Sequence, residues 1–139
     1  VVEMLRQILP EGVIVTTKDR DGTAEEYTCD GAREFTKPLA VLVNGSSASA
    51  SEVFAAAVKD YGIGTIVGET TFGKGVVQDV IGLRDGSSVK ITTAEYFPPS
   101  EESINKKGVK PDVEIEFEQD PNDPEADNQL EKALEIVRQ

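Results

Sequence analysis

The apolar positions change period several times along the chain, and each change marks an element. Val1, Met4, Leu5, Ile8 and Leu9 recur at helical spacing and predict a helix over 1–9 that Pro10 and Gly12 end. Val13–Thr17 is β-branched throughout and predicts a strand, with Asp21-Gly22 as the turn and Glu25–Cys29 as the returning partner. Pro38–Val43 is a short continuous apolar run, the pattern of a strand buried on both faces, and Asn44-Gly45 breaks it. Within Ser51–Tyr61, Val53, Phe54, Ala57 and Val58 make one helical face, closed by Gly62 and Gly64. Thr65-Ile66-Val67 follows as a second short buried strand. Strand, helix, strand with short links predicts a parallel βαβ unit with a right-handed crossover.

Beyond Gly75 the pattern loosens. Val76–Leu83 and Ser88–Phe97 flank Asp85-Gly86 and predict a partly exposed hairpin, and Val113–Phe117 alternates as a late strand. Glu118–Asp127 sets two prolines among acidic residues and reads as a solvated linker. Leu130, Ala133, Leu134 and Val137 stripe a closing helix over 128–139. The fold class is therefore α/β, a βαβ core with an additional β-hairpin region. The expected division is 1–117 as the body, 118–127 as an acidic linker and 128–139 as a C-terminal helix.

Composition narrows the chemistry. A chain of 139 residues can bury one core. Its net charge of −12 supplies no basic footprint for phosphates, so no nucleic-acid partner is expected. The single cysteine excludes an internal disulfide and a cysteine-cluster zinc site. No histidine is present, which removes Ser-His-Asp and Cys-His catalysis and imidazole metal ligands from this chain. Neither metal nor cofactor is expected, and any nucleophile must find its base in a lysine, a carboxylate or an N-terminal amine.

Two segments carry candidate chemistry. Asn44–Glu52, NGSSASASE, runs from a strand end through small residues into a helix N-terminus, where free N–H groups can hold an oxyanion. The competing interpretation is local: Ser49-Ala50-Ser51-Glu52 spells a capping box, and caps are far commoner than nucleophiles. Gly68–Gly75, GETTFGKG, resembles a phosphate loop, but Gly75 stands where a magnesium-binding hydroxyl is needed and a strand follows instead of a helix. Taken alone, Lys74 reads as an exposed lysine on a flexible turn. Taken together, the two segments offer a serine and a lysine base on adjoining loops. Such a base must be neutral, and lowering a lysine from about 10.4 to about 7–8 costs roughly 4 kcal/mol. Phe72, Val76 and Val77 supply an apolar setting, and Gln78 is placed to orient the amine by a hydrogen bond.

The string VLVNGSSASASEVFAAAVKDYGIGTIVGETTFGKGVVQ, continued by LRDGSSVKITTAEYFPP, INKKGVKPDVEIEF and DNQLEKALEIV, resembles the C-terminal processing (tail-specific) serine peptidases. The resemblance implies a Clp-protease/crotonase-like α/β fold and peptide-bond hydrolysis by a Ser–Lys dyad. It assigns Ser49 as nucleophile, Lys74 as general base, Gln78 as the residue that positions the lysine, the Ala50 N–H as an oxyanion donor and Glu52 as a supporting acid. It further implies protein or peptide substrates and a parent that is exported or membrane-anchored. The family's N-P-G-G segment and upstream PDZ domain do not occur in these residues. The chain is thus expected to be a catalytic-domain fragment incomplete at its N-terminus, weakly active or inactive alone and prone to self-association. A rival from another class is a ligand-binding module that keeps this fold without the dyad, and the presence of Ser49, Lys74 and Gln78 together argues against it.

Overall fold

The computed structural model describes residues 1–138. In chain order the elements are α1 (Val2–Leu5), β1 (Glu11–Asp19), β2 (Ala24–Asp30), β3 (Ala40–Val43), α2 (Ala50–Asp60), β4 (Thr65–Gly68), β5 (Val76–Gly82), β6 (Ser88–Phe97), β7 (Val113–Glu114) and α3 (Asn128–Val137). They build two sheets, a four-stranded one in the order β2-β1-β6-β5 and a three-stranded one in the order β3-β4-β7.

Both predicted hairpins form. β1 and β2 pair antiparallel from Glu11↔Asp30 to Lys18↔Ala24, and the Asp19 carboxylate closes the turn by accepting the Asp21 and Thr23 N–H groups at 2.9 and 2.8 Å. β5 and β6 pair from Val76↔Glu95 to Gly82↔Ser88. β6 then continues beside β1, with Thr16↔Phe97 and Thr17↔Tyr96, which joins the hairpins into one sheet. The predicted βαβ unit is also present: β3 and β4 run parallel from Ala40↔Thr65 to Val43↔Gly68, with α2 between them in sequence.

The core lies where α1, α2 and the two sheets meet. Leu5, Leu9, Ile14, Val58 and Ile66 have no solvent exposure. Each contributes about 1.5–3 kcal/mol of burial. Ala55, Ala56 and Ala57 are buried on α2, where small side chains let the helix pack close. On the strands, Leu42 is in register with Val67 and Val41 with Ile66. Alternation therefore puts Leu42 and Val67 on one face and Ile66, a member of the main core cluster, on the other. α3 packs against β3 and β4 and buries Ala133.

Four expectations change. The predicted helix over 1–9 is regular only to Leu5; its next turns tighten, with Gln7 and Ile8 N–H donating three residues back. Tertiary partners draw off the carbonyls there: Phe35 N–H donates to Ile8 at 2.9 Å, and the Cys29 thiol donates to Leu9 at 3.4 Å. Pro38–Val43 is not buried on both faces, because the face that carries Leu42, 42% exposed, is only partly covered. The late strand keeps its ladder only over Val113–Glu114, and Phe117 N–H turns to the Glu69 carboxylate. α3 is turned from its predicted stripe: Gln129 and Ala133 are buried, whereas Leu130 and Leu134 are exposed. Gln129 faces inward because its amide donates to the Ile115 carbonyl at 2.8 Å and toward Glu69 at 3.4 Å. The last residue of the predicted helix, Gln139, lies outside the described residues.

The parallel pairing also fixes where chemistry can sit. Val43 and Gly68 end neighbouring strands in register, so the loops leaving them emerge side by side. Crevices at the carboxyl ends of parallel strands are the usual ligand sites of α/β sheets.

Candidate active site

The serine loop knits itself together before α2 begins. Asn44 accepts the Ser46 N–H on its side chain at 2.9 Å and the Ser47 N–H on its carbonyl at 2.9 Å. Two residues on, Ser49 adopts φ 55° and ψ −111°. Those angles are close to the first central position of a type II′ turn, near +60° and −120°, which glycine normally fills. The Ser51 N–H closes that turn on the Ala48 carbonyl at 3.1 Å. A serine there is strained by about 1–3 kcal/mol, and such outliers gather at functional sites. The turn presents the Ser49 side chain to a cleft of about 570 Å³.

The capping box that competed with catalysis is present, but its carboxylate reaches much farther than a cap requires. The Ser49 N–H donates to Glu52 Oε2 at 2.9 Å. The Glu52 N–H donates to the Ser49 carbonyl at 2.9 Å, and the hydroxyl beside it makes no well-formed capping hydrogen bond. Glu52 has no solvent exposure. The same Oε2 accepts the Lys74 N–H at 2.8 Å, while Oε1 accepts the Gly73 N–H and the Thr71 hydroxyl, both at 2.6 Å. One oxygen thus holds the main-chain nitrogens of Ser49 and Lys74 within about 6 Å of each other. A second tie runs from the Phe72 N–H to the Ser47 carbonyl at 2.9 Å.

The Lys74 loop is not the flexible turn that its glycines suggest. Segment 104–109 is stacked against it: Lys106 N–H donates to Gly73 at 2.7 Å, and Val109 N–H to the Thr71 hydroxyl at 2.7 Å. Glycine is required for this approach. Gly108, at φ +73°, has no room for a Cβ against the Thr71 carbonyl, and a Cβ on Gly73, at φ +88°, would press on the main chain of 106–108. The KPD sequence that follows anchors the segment in turn. Asp112 accepts the Ile66 N–H at 2.9 Å and pairs with Lys59 of α2 at 3.0 Å.

Ser49, Ala50, Lys74 and Gln78 all line the 570 Å³ cleft, whose walls are largely aliphatic, with Val15, Val53 and Val76 among them. The N–H of Ala50, the first residue of α2, makes no hydrogen bond among the described residues. The Gln78 amide donates weakly to Thr92 across the hairpin at 3.4 Å. Glu52 sits behind the cleft and contacts the main chain on both sides of it.

One residue that sequence reasoning did not single out also lines this cleft. Tyr96, near the end of β6, is 5% exposed. Its hydroxyl donates to the Lys74 carbonyl, and its N–H donates to the Gly75 carbonyl at 3.0 Å. Burial pushes the phenol up to about 12; the neighbouring Ser49 hydroxyl pulls it the other way, and the nearby Glu52 charge raises it further.

A serine on a strained turn at a helix N-terminus and a lysine tied to it by a buried carboxylate have the parts of an acyl-transfer site. The model for peptidase family S41 matches residues 1–115. The chain belongs to peptidase family S41. It is 44% identical over 115 residues to the carboxyl-terminal-processing protease of Synechocystis sp., covering 83% of this chain and 27% of that protein. It is 46% identical over 125 residues to the chloroplastic C-terminal processing peptidase of Tetradesmus obliquus, covering 89% of this chain and 27% of that one. Among solved structures, the photosystem II D1 C-terminal processing protease superposes with a TM-score of 0.77 at 42% identity, over 99% of this chain and 34% of that one. The S41 assignment fixes the architecture as the Clp-protease/crotonase-like α/β fold. The chain spans between a quarter and about a third of the length of these relatives. Among the described residues, no helix is long and apolar enough to cross a membrane.

Proposed function

We propose that this chain carries the nucleophile and base of a serine endopeptidase of the C-terminal processing type. Residues 1–117 supply the C-terminal part of the catalytic domain, 118–127 a linker and 128–139 a closing helix. Ser49 Oγ attacks the scissile carbonyl carbon while its proton passes to the Lys74 amine, and the carbonyl oxygen becomes an oxyanion facing the Ala50 N–H. As the C–N bond breaks, the leaving amine takes the proton from Lys74, leaving an ester on Ser49. Water then attacks the ester while giving a proton to Lys74, and as the Ser49 Oγ–acyl bond breaks Lys74 returns that proton to Oγ, releasing the acid product and restoring both residues. Gln78 orients the lysine side chain in this scheme, and Glu52 holds the two loops in register.

The observation that carries this reading is the buried Glu52 carboxylate, which accepts hydrogen bonds from the main chains of both Ser49 and Lys74. A helix cap needs only the first. The aliphatic walls of the cleft suit an extended, unstructured protein segment with apolar side chains, and the parent protein acts outside the cytoplasm, exported or membrane-anchored. In isolation the chain self-associates through the exposed edge of β3, where Leu42, Val1 and Met4 border an apolar cleft. A monomer in light scattering contradicts that point. The function itself is tested by digesting an unstructured protein with the full-length enzyme beside Ser49→Ala and Lys74→Ala. Loss of turnover in both folded variants is expected, and parental activity in either removes that residue from the mechanism.

A further inference from the structure

The cleft that holds Ser49 carries a charge pattern opposite to that of the chain. Acids outnumber bases by 26 to 14 along the sequence, yet the charged side chains lining the cleft are Lys74 and Lys90, with no aspartate or glutamate among them. Lys90 arrives there by register. On the β5–β6 hairpin Gln78 stands opposite Thr92 and Val80 opposite Lys90, so strand alternation puts Gln78, Val80 and Lys90 on one face. All three line the cleft. The neighbouring acids are turned away or held off. Asp79 alternates to the other face, opposite Ile91. Glu52 is buried, with both oxygens engaged by Ser49, Thr71, Gly73 and Lys74. Glu25, opposite Thr17, stands on β2 at the far edge of the sheet, about 14 Å from β5 by strand spacing. Among the described residues Lys90 makes no ion pair.

We propose that Lys90 selects among substrates: its ammonium receives an acidic side chain of the polypeptide close to the scissile bond. The inference rests on the Ser49–Lys74 reading given above, because a base takes up a proton only as a neutral amine, which leaves Lys90 as the cationic side chain of the cleft. Val80, its cross-strand neighbour, lies four residues beyond Val76 at the Lys74 end of β5, about 13 Å along the strand. An extended polypeptide covers that distance in about four residues, so the carboxylate belongs within about four residues of the bond that is cut. Both strands run on past this pair to Gly82 and Ser88. A substrate chain therefore has a surface to continue along, and the group Lys90 meets is a side chain rather than a chain end. The net charge of −12 opposes an acidic substrate at long range, but that field is screened beyond about 8 Å at physiological salt, and a contact pair is screened far less. An exposed ion pair shifts affinity by only a few-fold, so Lys90 ranks unstructured substrates and does not bind them by itself.

The test measures kcat/KM of the full-length enzyme on unstructured, C-terminally amidated peptides that differ at one residue. Glu, Gln or Lys is walked through the positions within about four residues of the scissile bond on each side. The parent, Lys90→Gln, Lys90→Arg and Lys90→Glu are compared by their Glu-to-Gln ratio, in which any general loss of activity cancels. The expected result is a position where the parent and Lys90→Arg prefer Glu by about two- to fivefold, Lys90→Gln has no preference and Lys90→Glu prefers Lys. The parental preference should fade in about 1 M salt, where the screening length is about 3 Å. A parent indifferent to Glu at every position, a preference that survives in Lys90→Glu, or one that appears only when the peptide keeps a free C-terminal carboxylate overturns the inference. If Ser49→Ala or Lys74→Ala cleaves the peptides, the dyad reading fails and the Lys90 inference falls with it. If both are inactive and the Lys90 variants keep the parental ratio, only the Lys90 inference fails.

Discussion

Replacing Glu52 by glutamine exchanges a carboxylate for a group of almost the same shape, so its effect isolates hydrogen bonding. Each carboxylate oxygen accepts from two donors: Oε1 from the Gly73 N–H and the Thr71 hydroxyl, Oε2 from the Ser49 and Lys74 N–H groups. No donor is called for at either position. A glutamine side chain must turn its NH2 toward one pair: in the Oε2 place it faces the Ser49 and Lys74 N–H groups, and in the Oε1 place it faces the buried Gly73 N–H while the Thr71 hydroxyl can turn to accept from it. Each unsatisfied buried group costs about 1–3 kcal/mol. Taking the less costly orientation, Glu52→Gln should therefore lower stability by roughly 2–3 kcal/mol, a sizeable share of the 5–15 kcal/mol typical of a domain. Urea denaturation followed by far-UV circular dichroism reads the change, and turnover at a temperature where the variant remains folded reads the catalytic part. Held by a neutral amide in place of a carboxylate, the Ser49 and Lys74 loops should be less tightly fixed, lowering kcat by about 10-fold. A variant within about 1 kcal/mol of the parent and of equal activity would refute the clamp and return Glu52 to an ordinary helix cap.

Three further outcomes follow from the same geometry. Ser49→Gly and Ser49→Ala should both be inactive, but the glycine variant should be about 1 kcal/mol more stable, because relief of strain at φ 55° outweighs glycine's added chain entropy; equal stability in thermal denaturation contradicts the strained turn. Gly108→Ala should cost about 2 kcal/mol or more and depress turnover, since its Cβ would displace Thr71 and with it the Lys74 loop; a neutral variant would show the loop to be pliable. The Tyr96 phenol, raised from 10.0 to about 12, binds its proton more tightly in the folded state. Its contribution is full below pH 10 and is lost as pH rises toward 12, a change on the order of 2 kcal/mol that should be missing from the alkaline stability profile of Tyr96→Phe.

Much of this arrangement is legible in the residues, and the illegible parts share a cause. Short apolar runs broken by Asn44-Gly45 and Gly62 announce the βαβ unit, and the hairpins declare themselves by β-branched content around Asp21-Gly22 and Asp85-Gly86. The absence of histidine leaves a lysine, a carboxylate or an N-terminal amine as the base for any serine nucleophile, and the two candidate loops stand out before the sheet is seen. What cannot be read locally is the second partner of a residue whose first partner is nearby. Glu52 satisfies a capping box three residues away and thereby conceals its bonds to Thr71, Gly73 and Lys74. Tyr96 looks like one more aromatic in a hairpin, because its hydroxyl partner is 22 residues back along the chain. The glycines around Lys74 suggest flexibility, yet they are there so that segment 104–109 can lie against the loop. α3 misleads in the same way: the buried polar Gln129 is explained only by the Ile115 carbonyl, and that contact turns Leu130 and Leu134 outward.

The central claim, that Ser49 is a nucleophile served by Lys74, is tested most directly by covalent labelling. The full-length enzyme would be treated with a fluorophosphonate, and the adduct located by peptide mass spectrometry. The account predicts a single modified serine at Ser49, with its labelling rate reduced at least 10-fold in Lys74→Ala and in Glu52→Gln. A Ser49 that stays unlabelled in an active enzyme, or one labelled at the parental rate without Lys74, would contradict it.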